Sequence, residues 1–333
     1  MPAREPLWIT EADVAAAIDL RGANAAVRDA LLHEHAGTAS TLAKTATEFG
    51  GHGTLHALGG TGVPTDGGEV VGTKSWAHTP GGATPLVVLW DAMSGALLAV
   101  IEAFALGQLR TAAVSAIATD VIAAPDAAVF AMVGTGKQAL AQVAAVASQR
   151  ALRQVRIHSR TAEHRAAFCG VVGERIPGID VVDCADVRSA TEGADVITTA
   201  TRSRTPILDA TMVGPRTHVN ALGSITNDRR ELDDSIVALA GLVVSDSPAA
   251  ARALSSEFDS AADVLSLSAV VAEPAATSAR SGASIFKAMG LGLADVAIAA
   301  AVLGTTRATG RGRPMPTPTR AAPHLFSSLE VTS

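Results

Sequence analysis

AVFAMVGTGKQALAQVAAVASQ, residues 128–149, is the stretch on which the fold turns. An apolar run of strand length meets a glycine turn, and an alanine- and valine-rich helical pattern follows at once. Gly134, Gly136 and Ala139 give G-x-G-x-x-A in the context a dinucleotide site requires, directly after a strand and directly before a helix. The first glycine permits the tight turn. The second lets backbone approach a pyrophosphate, and the small third residue lets the helix pack close on the strand. The unpaired N–H groups at the helix start then face the phosphates. The alternative is a purely structural turn between strand and helix.

Working outward, the pattern repeats. QVRIHS reads as a second strand and TAEHRAAFCGVVGERI as a second helix; IDVVD, ADVITTAT, HVNALG and LVVSD supply further short apolar strands. Strands alternating with helices predict right-handed crossovers and a Rossmann-type, doubly wound parallel sheet over residues 112–285. At the end of the second strand stand His158, Ser159, Arg160 and Thr161, with no carboxylate for ribose hydroxyls. A hydroxyl beside a guanidinium suits a 2′-phosphate, so NADP is expected over NAD.

The N-terminal part reads differently. Thr10 with Asp13 marks a helix start, and NAAVRDALLHEH continues to a stop at Gly37. From Ser40 to about Ile101, short runs separated by GGTG, DGG and PGG predict an antiparallel sheet. LRTAAVSAIATDVIA has helical spacing starting near Arg110, and SIFKAMGLGLADVAIAAAVLG reads as one long final helix returning to the first unit. The expected organisation is an α+β domain, 1–111 plus 286–333, around the dinucleotide-binding domain. The tail from Gly310, rich in Pro, Thr and Arg, reads as a solvated or partly disordered end, with packing against a partner subunit as the alternative.

Composition narrows the chemistry. The 333 residues are 48% hydrophobic with net charge −6, which gives no basic footprint for nucleic acid. Two cysteines exclude a disulfide framework and multi-cysteine metal sites, and fit a reducing cytoplasm; the histidines lack metal spacing, so no metal is expected. The absence of tyrosine rules out a phenolic general acid. No apolar run reaches the roughly 18 residues of a membrane span, and MPAREPLWITEAD lacks the order of a signal peptide.

Lys44 in TLAKTA, Lys74 in VVGTKSWAH and Arg110 before the Rossmann strand are three cations on rigid elements, suited to hold a substrate carboxylate. Each alone is also compatible with an ordinary surface charge. LRTAAVSAIA (109–118), GTGKQA (134–139), ADVITTAT (194–201), HVNALG (218–223) and RELDD (230–234), with SIFKAMG (284–290), together resemble the ornithine cyclodeaminase/mu-crystallin family. The resemblance implies a homodimer, with 1–111 plus 286–333 as the dimerisation and substrate domain, a nicotinamide cofactor, and small amino, imino or keto acid substrates. It assigns Lys74 and Arg110 to the substrate and its chemistry, with Lys44 where many relatives have arginine and Thr84 where they have a His-Gln pair. It extends the cofactor contacts to Thr111, Thr135, Gln138 and Thr201. Asn220, Ala221, Leu222 and Gly223 would border the nicotinamide, and Lys287 would reach the cofactor from the final helix. Cyclodeaminases carry an Asp at the position of Ile225; the nearby Asp228 reads as a loop carboxylate, with a catalytic substitute for that Asp as the alternative. The expected activity is reduction of a small imino acid, with ammonia-eliminating cyclisation and cofactor-dependent small-molecule binding as alternatives.

Overall fold

The computed structural model describes residues 5–258, 263–276 and 281–323. Two eight-stranded sheets organise them. In the first, strands Ser40–Phe49, Gly53–Thr65, Gly68–Thr79, Leu86–Asp91 and Leu97–Glu102 follow one another antiparallel; DGG and PGG fall at turns as expected, whereas GGTG runs inside strand Gly53–Thr65. Leu7–Ile9 adds in parallel beside Leu97–Glu102, which makes the sheet mixed. Arg313–Pro314, from the tail, pairs antiparallel with Leu7–Ile9, so the start of the tail is held in the sheet; residues 324–333 lie outside the described residues. The Thr10–Asp13 capping box forms at helix Glu11–Ala17, and helix Leu20–His35 ends just before Gly37.

The second sheet is parallel throughout. Its order is Asp180–Cys184, Gln154–His158, Val129–Val133, Val196–Thr199, His218–Ala221, Ala283–Lys287, Ala240–Ser245, Leu265–Ser266. Successive strands step one way from Val129–Val133 to Asp180–Cys184, and the chain then crosses to the other side at Val196–Thr199. That reversal opens a crevice at the carboxyl ends of the two central strands, where ligands of doubly wound sheets bind.

Three expectations are corrected. SIFKAMG is not helical: Ala283–Lys287 is a buried strand between His218–Ala221 and Ala240–Ser245, and the helix begins only at Gly292. Short apolar runs carry no period that separates strand from helix, and pairing on both sides decides this one. A boundary at 286 therefore cuts through a strand of the parallel sheet. Helix Phe104–Ile122 starts six residues before Arg110, which sits inside it rather than at its entrance.

Helix Gly292–Ala308 fixes the site. Twelve of its 17 residues are buried, because it is wedged between the first sheet and helices Leu20–His35 and Phe104–Ile122. Glycines on the sheet let it lie against bare backbone. A Cβ at Gly60 would come 2.7 Å from the Cα of Leu293, and one at Gly292 would come 2.2 Å from the Gly59 carbonyl oxygen. This approach brings Asp295, fully buried, against strand Gly68–Thr79.

Candidate active site between the two sheets

A cavity of about 780 Å³ opens at the crevice and is lined by both units. The dinucleotide turn forms its floor. Gly134 has φ +110°, and a Cβ there would come 2.7 Å from the carbonyl oxygen of Ala200, so glycine is required by backbone strain and by the neighbouring strand. A Cβ at Gly136 would meet no protein atom, so its smallness serves the open cavity. Thr135, Gly136 and Gln138 line the cavity, whereas Ala139 is buried in the helix–strand contact, each in the role its motif position demands. A nicotinamide dinucleotide fits this cradle.

Ser159, Arg160 and Thr161 line the cavity beyond the second strand, joined by His164 from the first turn of helix Ala162–Arg175. Thr111, Thr201, Leu222 and Gly223 also line it. Asn220 and Ala221 do not: both are fully buried, and the Asn220 amide donates to Thr119 Oγ1 at 3.1 Å and accepts near His218 Nε2. His218 is fully buried and its pKa is pushed down to about 4 by burial, so it is a neutral structural group. Lys287 is also away from the cavity. Its ammonium, completely enclosed, donates to Glu257 Oε2 at 2.7 Å, and the remaining Glu257 oxygen accepts from the backbone of Glu231 and Leu232.

Glu231, which the sequence marked only as part of RELDD, braces the cavity wall. Its carboxylate accepts from Thr201 N at 2.6 Å, Gly223 N at 2.7 Å and Thr199 Oγ1 at 2.9 Å. It thereby fastens together the ends of Val196–Thr199 and His218–Ala221 beneath the two lining residues.

From the first sheet, Lys44 and Trp76 line the same cavity, with Arg110 from helix Phe104–Ile122. Burial and the Arg110 charge both hold the Lys44 ammonium below its usual range. Lys74, expected at the substrate, is outside the cavity lining: it is 5% exposed, its Nζ is 5.6 Å from the ring centroid of the lining residue Trp76, and it donates to Asp295 Oδ1 at 2.8 Å. Burial, then Arg110, pulls the Lys74 pKa down, while Asp295 opposes the shift. The other Asp295 oxygen is 3.6 Å from Arg110 Nε, and both atoms are buried without a hydrogen-bond partner. Asp246, buried beside them, accepts from Met289 N at 2.7 Å and Gly290 N at 3.0 Å and shapes the turn that lines the cavity under Arg110. Thr84 is exposed and outside the lining. Asp228 is also outside it, hydrogen-bonded to Thr226 and 3.3 Å from Arg204; Ile225 does line the cavity. Asp295 and Asp246 were missed as site residues. Asp295 signals itself in sequence only as a lone acid among apolar residues, and Asp246 only as an acid between two serines after an apolar run.

The model of the ornithine cyclodeaminase/mu-crystallin family matches residues 4–310. The chain belongs to that family. This member is 35% identical over 213 residues to the ketimine reductase mu-crystallin of mouse, covering 64% of this chain and about two thirds, 66%, of that protein. An archaeal alanine dehydrogenase dimer with bound NAD superimposes with TM-score 0.85 at 26% identity, covering 94% of this chain and 99% of the other. The iminosuccinate reductase of Paracoccus denitrificans in complex with NAD+ superimposes with TM-score 0.84 at 25% identity, covering 94% and 100%. The family fold is thus shared along nearly the whole chain. No helix among the described residues is long and apolar enough to cross a membrane.

Proposed function

We propose that this family member is an NAD(P)H-dependent reductase of a small imino acid, working reversibly as an amino-acid dehydrogenase. The observation that carries the reading is that Arg110 and Lys44 line the same cavity as the Gly134–Gln138 turn. A substrate carboxylate held by these cations is confined beside the cofactor cradle, and orientation of this kind is the main contribution a protein makes when a cofactor carries the difficult step. Bound nicotinamide supplies the hydride. Arg110 offers the carboxylate a planar fork and Lys44 adds a point charge. Lys74, its ammonium acidified by burial, delivers a proton to the substrate nitrogen and is recharged while still hydrogen-bonded to Asp295.

The mouse relative's ketimine reductase name and the neighbours named for alanine and iminosuccinate agree with this class. Cyclodeamination is disfavoured by Ile225, which offers the substrate amine no carboxylate. The test is NAD(P)H oxidation, followed by loss of absorbance, with a cyclic imino acid and with 2-keto acids plus ammonia. Turnover is expected, and Arg110→Ala should raise KM by about 10²-fold, as for loss of a charge-assisted pair. Cofactor titration should be little changed. Proline and ammonia formed from ornithine without net cofactor change would replace this reading with cyclodeamination, and tight cofactor binding without turnover would replace it with a binding role.

NADP is the preferred cofactor in this proposal, with NAD the alternative, because Ser159, Arg160 and Thr161 carry no carboxylate and His164 adds a further donor. Ser159→Asp with Arg160→Ala should reverse the NADPH/NADH preference by tenfold or more on the order of the lost charge-assisted bonds; an unchanged ratio would remove the 2′-phosphate reading. A homodimer is proposed on the exposed edge of the first sheet. Ser40–Phe49 pairs on one side only among the described residues, and Leu42, Leu55 and Phe49 are 46%, 52% and 40% exposed there. Uncovered apolar edges of this length call for a partner. Two free cysteines suit a cytoplasmic setting.

A further inference from the structure

The residues lining the cavity include six lysines and arginines, Lys44, Arg110, Lys137, Arg160, Arg202 and Arg229, and no Asp or Glu. The proposed function accounts for four of these. Lys44 and Arg110 take the substrate carboxylate, Lys137 belongs to the dinucleotide turn, and Arg160 takes the 2′-phosphate. Arg202 and Arg229 are left over.

They come from two loops at the carboxyl ends of adjacent strands, Val196–Thr199 and His218–Ala221. The loops are tied to each other: Arg230 N donates to the Ser203 carbonyl at 3.0 Å, and Ile207 N donates to the Glu231 carbonyl at 2.8 Å. Of the four arginines concerned, two are neutralised away from the cavity. Arg204 pairs with Asp228, and Arg230 pairs with Asp234. Arg202 and Arg229 have no carboxylate within 4.0 Å among the described residues, and both line the cavity. The same loops contribute Ile207 and Ile225 to the lining; Arg229 is half-buried and Arg202 exposed.

We infer that Arg202 and Arg229 form a second oxyanion subsite of the cavity, separate from the Arg110–Lys44 pair. It takes either the side-chain acid group of a dicarboxylic imine or a phosphate of the cofactor, since each presents paired oxygens to a guanidinium. The substrate source rests on the imine-reductase reading; the cofactor source does not.

The test uses the full chain, the single variants Arg202→Gln and Arg229→Gln, and their combination. NADPH and NADH are titrated by fluorescence, and kcat/KM is measured for oxaloacetate plus ammonia against pyruvate plus ammonia. If the substrate is the source, the diacid-to-monoacid ratio of kcat/KM falls about tenfold or more in the double variant while cofactor affinities hold. If the cofactor is the source, NADPH or NADH affinity falls by about the same factor and the ratio holds. Arg229→Lys, which keeps the charge and loses the fork, should fall between wild type and Arg229→Gln. Affinities and ratio all unchanged would overturn the subsite. Absence of turnover by the wild type with every imine would sink the proposed function and the substrate source with it; the titrations then judge the cofactor source, and unchanged affinities in the double variant would overturn the subsite.

Discussion

Asp295→Asn should lower kcat/KM by about 10²-fold or more and draw the basic limb of its pH profile toward lower pH. The groups facing Lys74 are Asp295 at 2.8 Å, Arg110 and Glu11 at longer range, and the Trp76 ring; Lys44 is a further cation nearby. Burial and the neighbouring cations favour the neutral amine, and Asp295 is the contact that favours the ammonium most. Removing its charge lowers the Lys74 pKa, so the protonated form needed to donate to the substrate nitrogen is lost at a lower pH. An isosteric amide preserves packing, which separates this effect from unfolding. A fall in kcat/KM with no displacement of the limb would mean that Asp295 only holds the helix against the sheet. Because Asp295 is fully enclosed, the lost charge should not alter cofactor titration.

Lys287→Met should destabilise the fold by about 3–5 kcal/mol, the cost of leaving a buried carboxylate without its partner. Lys287 and Glu257 both have fully buried side chains, 2.7 Å apart. The remaining donors to Glu257 are the backbone N–H groups of Glu231 and Leu232 and, at 3.4 Å, the Ser255 hydroxyl, which soften the loss without neutralising the charge. Chemical denaturation measures it, and the double variant Lys287→Met with Glu257→Gln should recover much of the stability, since the uncompensated charge is gone. Cofactor affinity of the folded protein should change little in either case. A selective loss of cofactor binding with stability intact would restore the lysine to the cofactor site.

The parts legible in the sequence are those whose physics is local. Gly134 and Gly136 announce a turn because only glycine tolerates the backbone angle at one and leaves open space at the other. The alternating apolar runs and glycine punctuation before Ile101 gave the antiparallel strands for the same reason. What escaped is long-range. Asp295 meets Lys74 across 221 residues of chain, a contact that no spacing encodes. In sequence it is one acid among alanines, and its role appears only when glycines 59, 60 and 292 let the final helix touch the sheet. Ala283–Lys287 is not separable from helix by sequence because five residues carry no decisive period, and the placement of Lys287 at the cofactor rests on the family resemblance alone. Thr84 is the one polar group its segment offers the substrate, but it lies exposed between two strands and outside the cavity lining.

The most direct measurement is a crystal structure of the full chain with oxidised cofactor and a saturated cyclic amino acid. The amino acid's carboxylate is expected within about 3.2 Å of the Arg110 guanidinium, its ring nitrogen toward Lys74 Nζ and its α-carbon against the nicotinamide. A carboxylate bound away from Arg110 and Lys44, or a nitrogen with Lys74 still turned wholly to Asp295 and out of reach, would contradict the account.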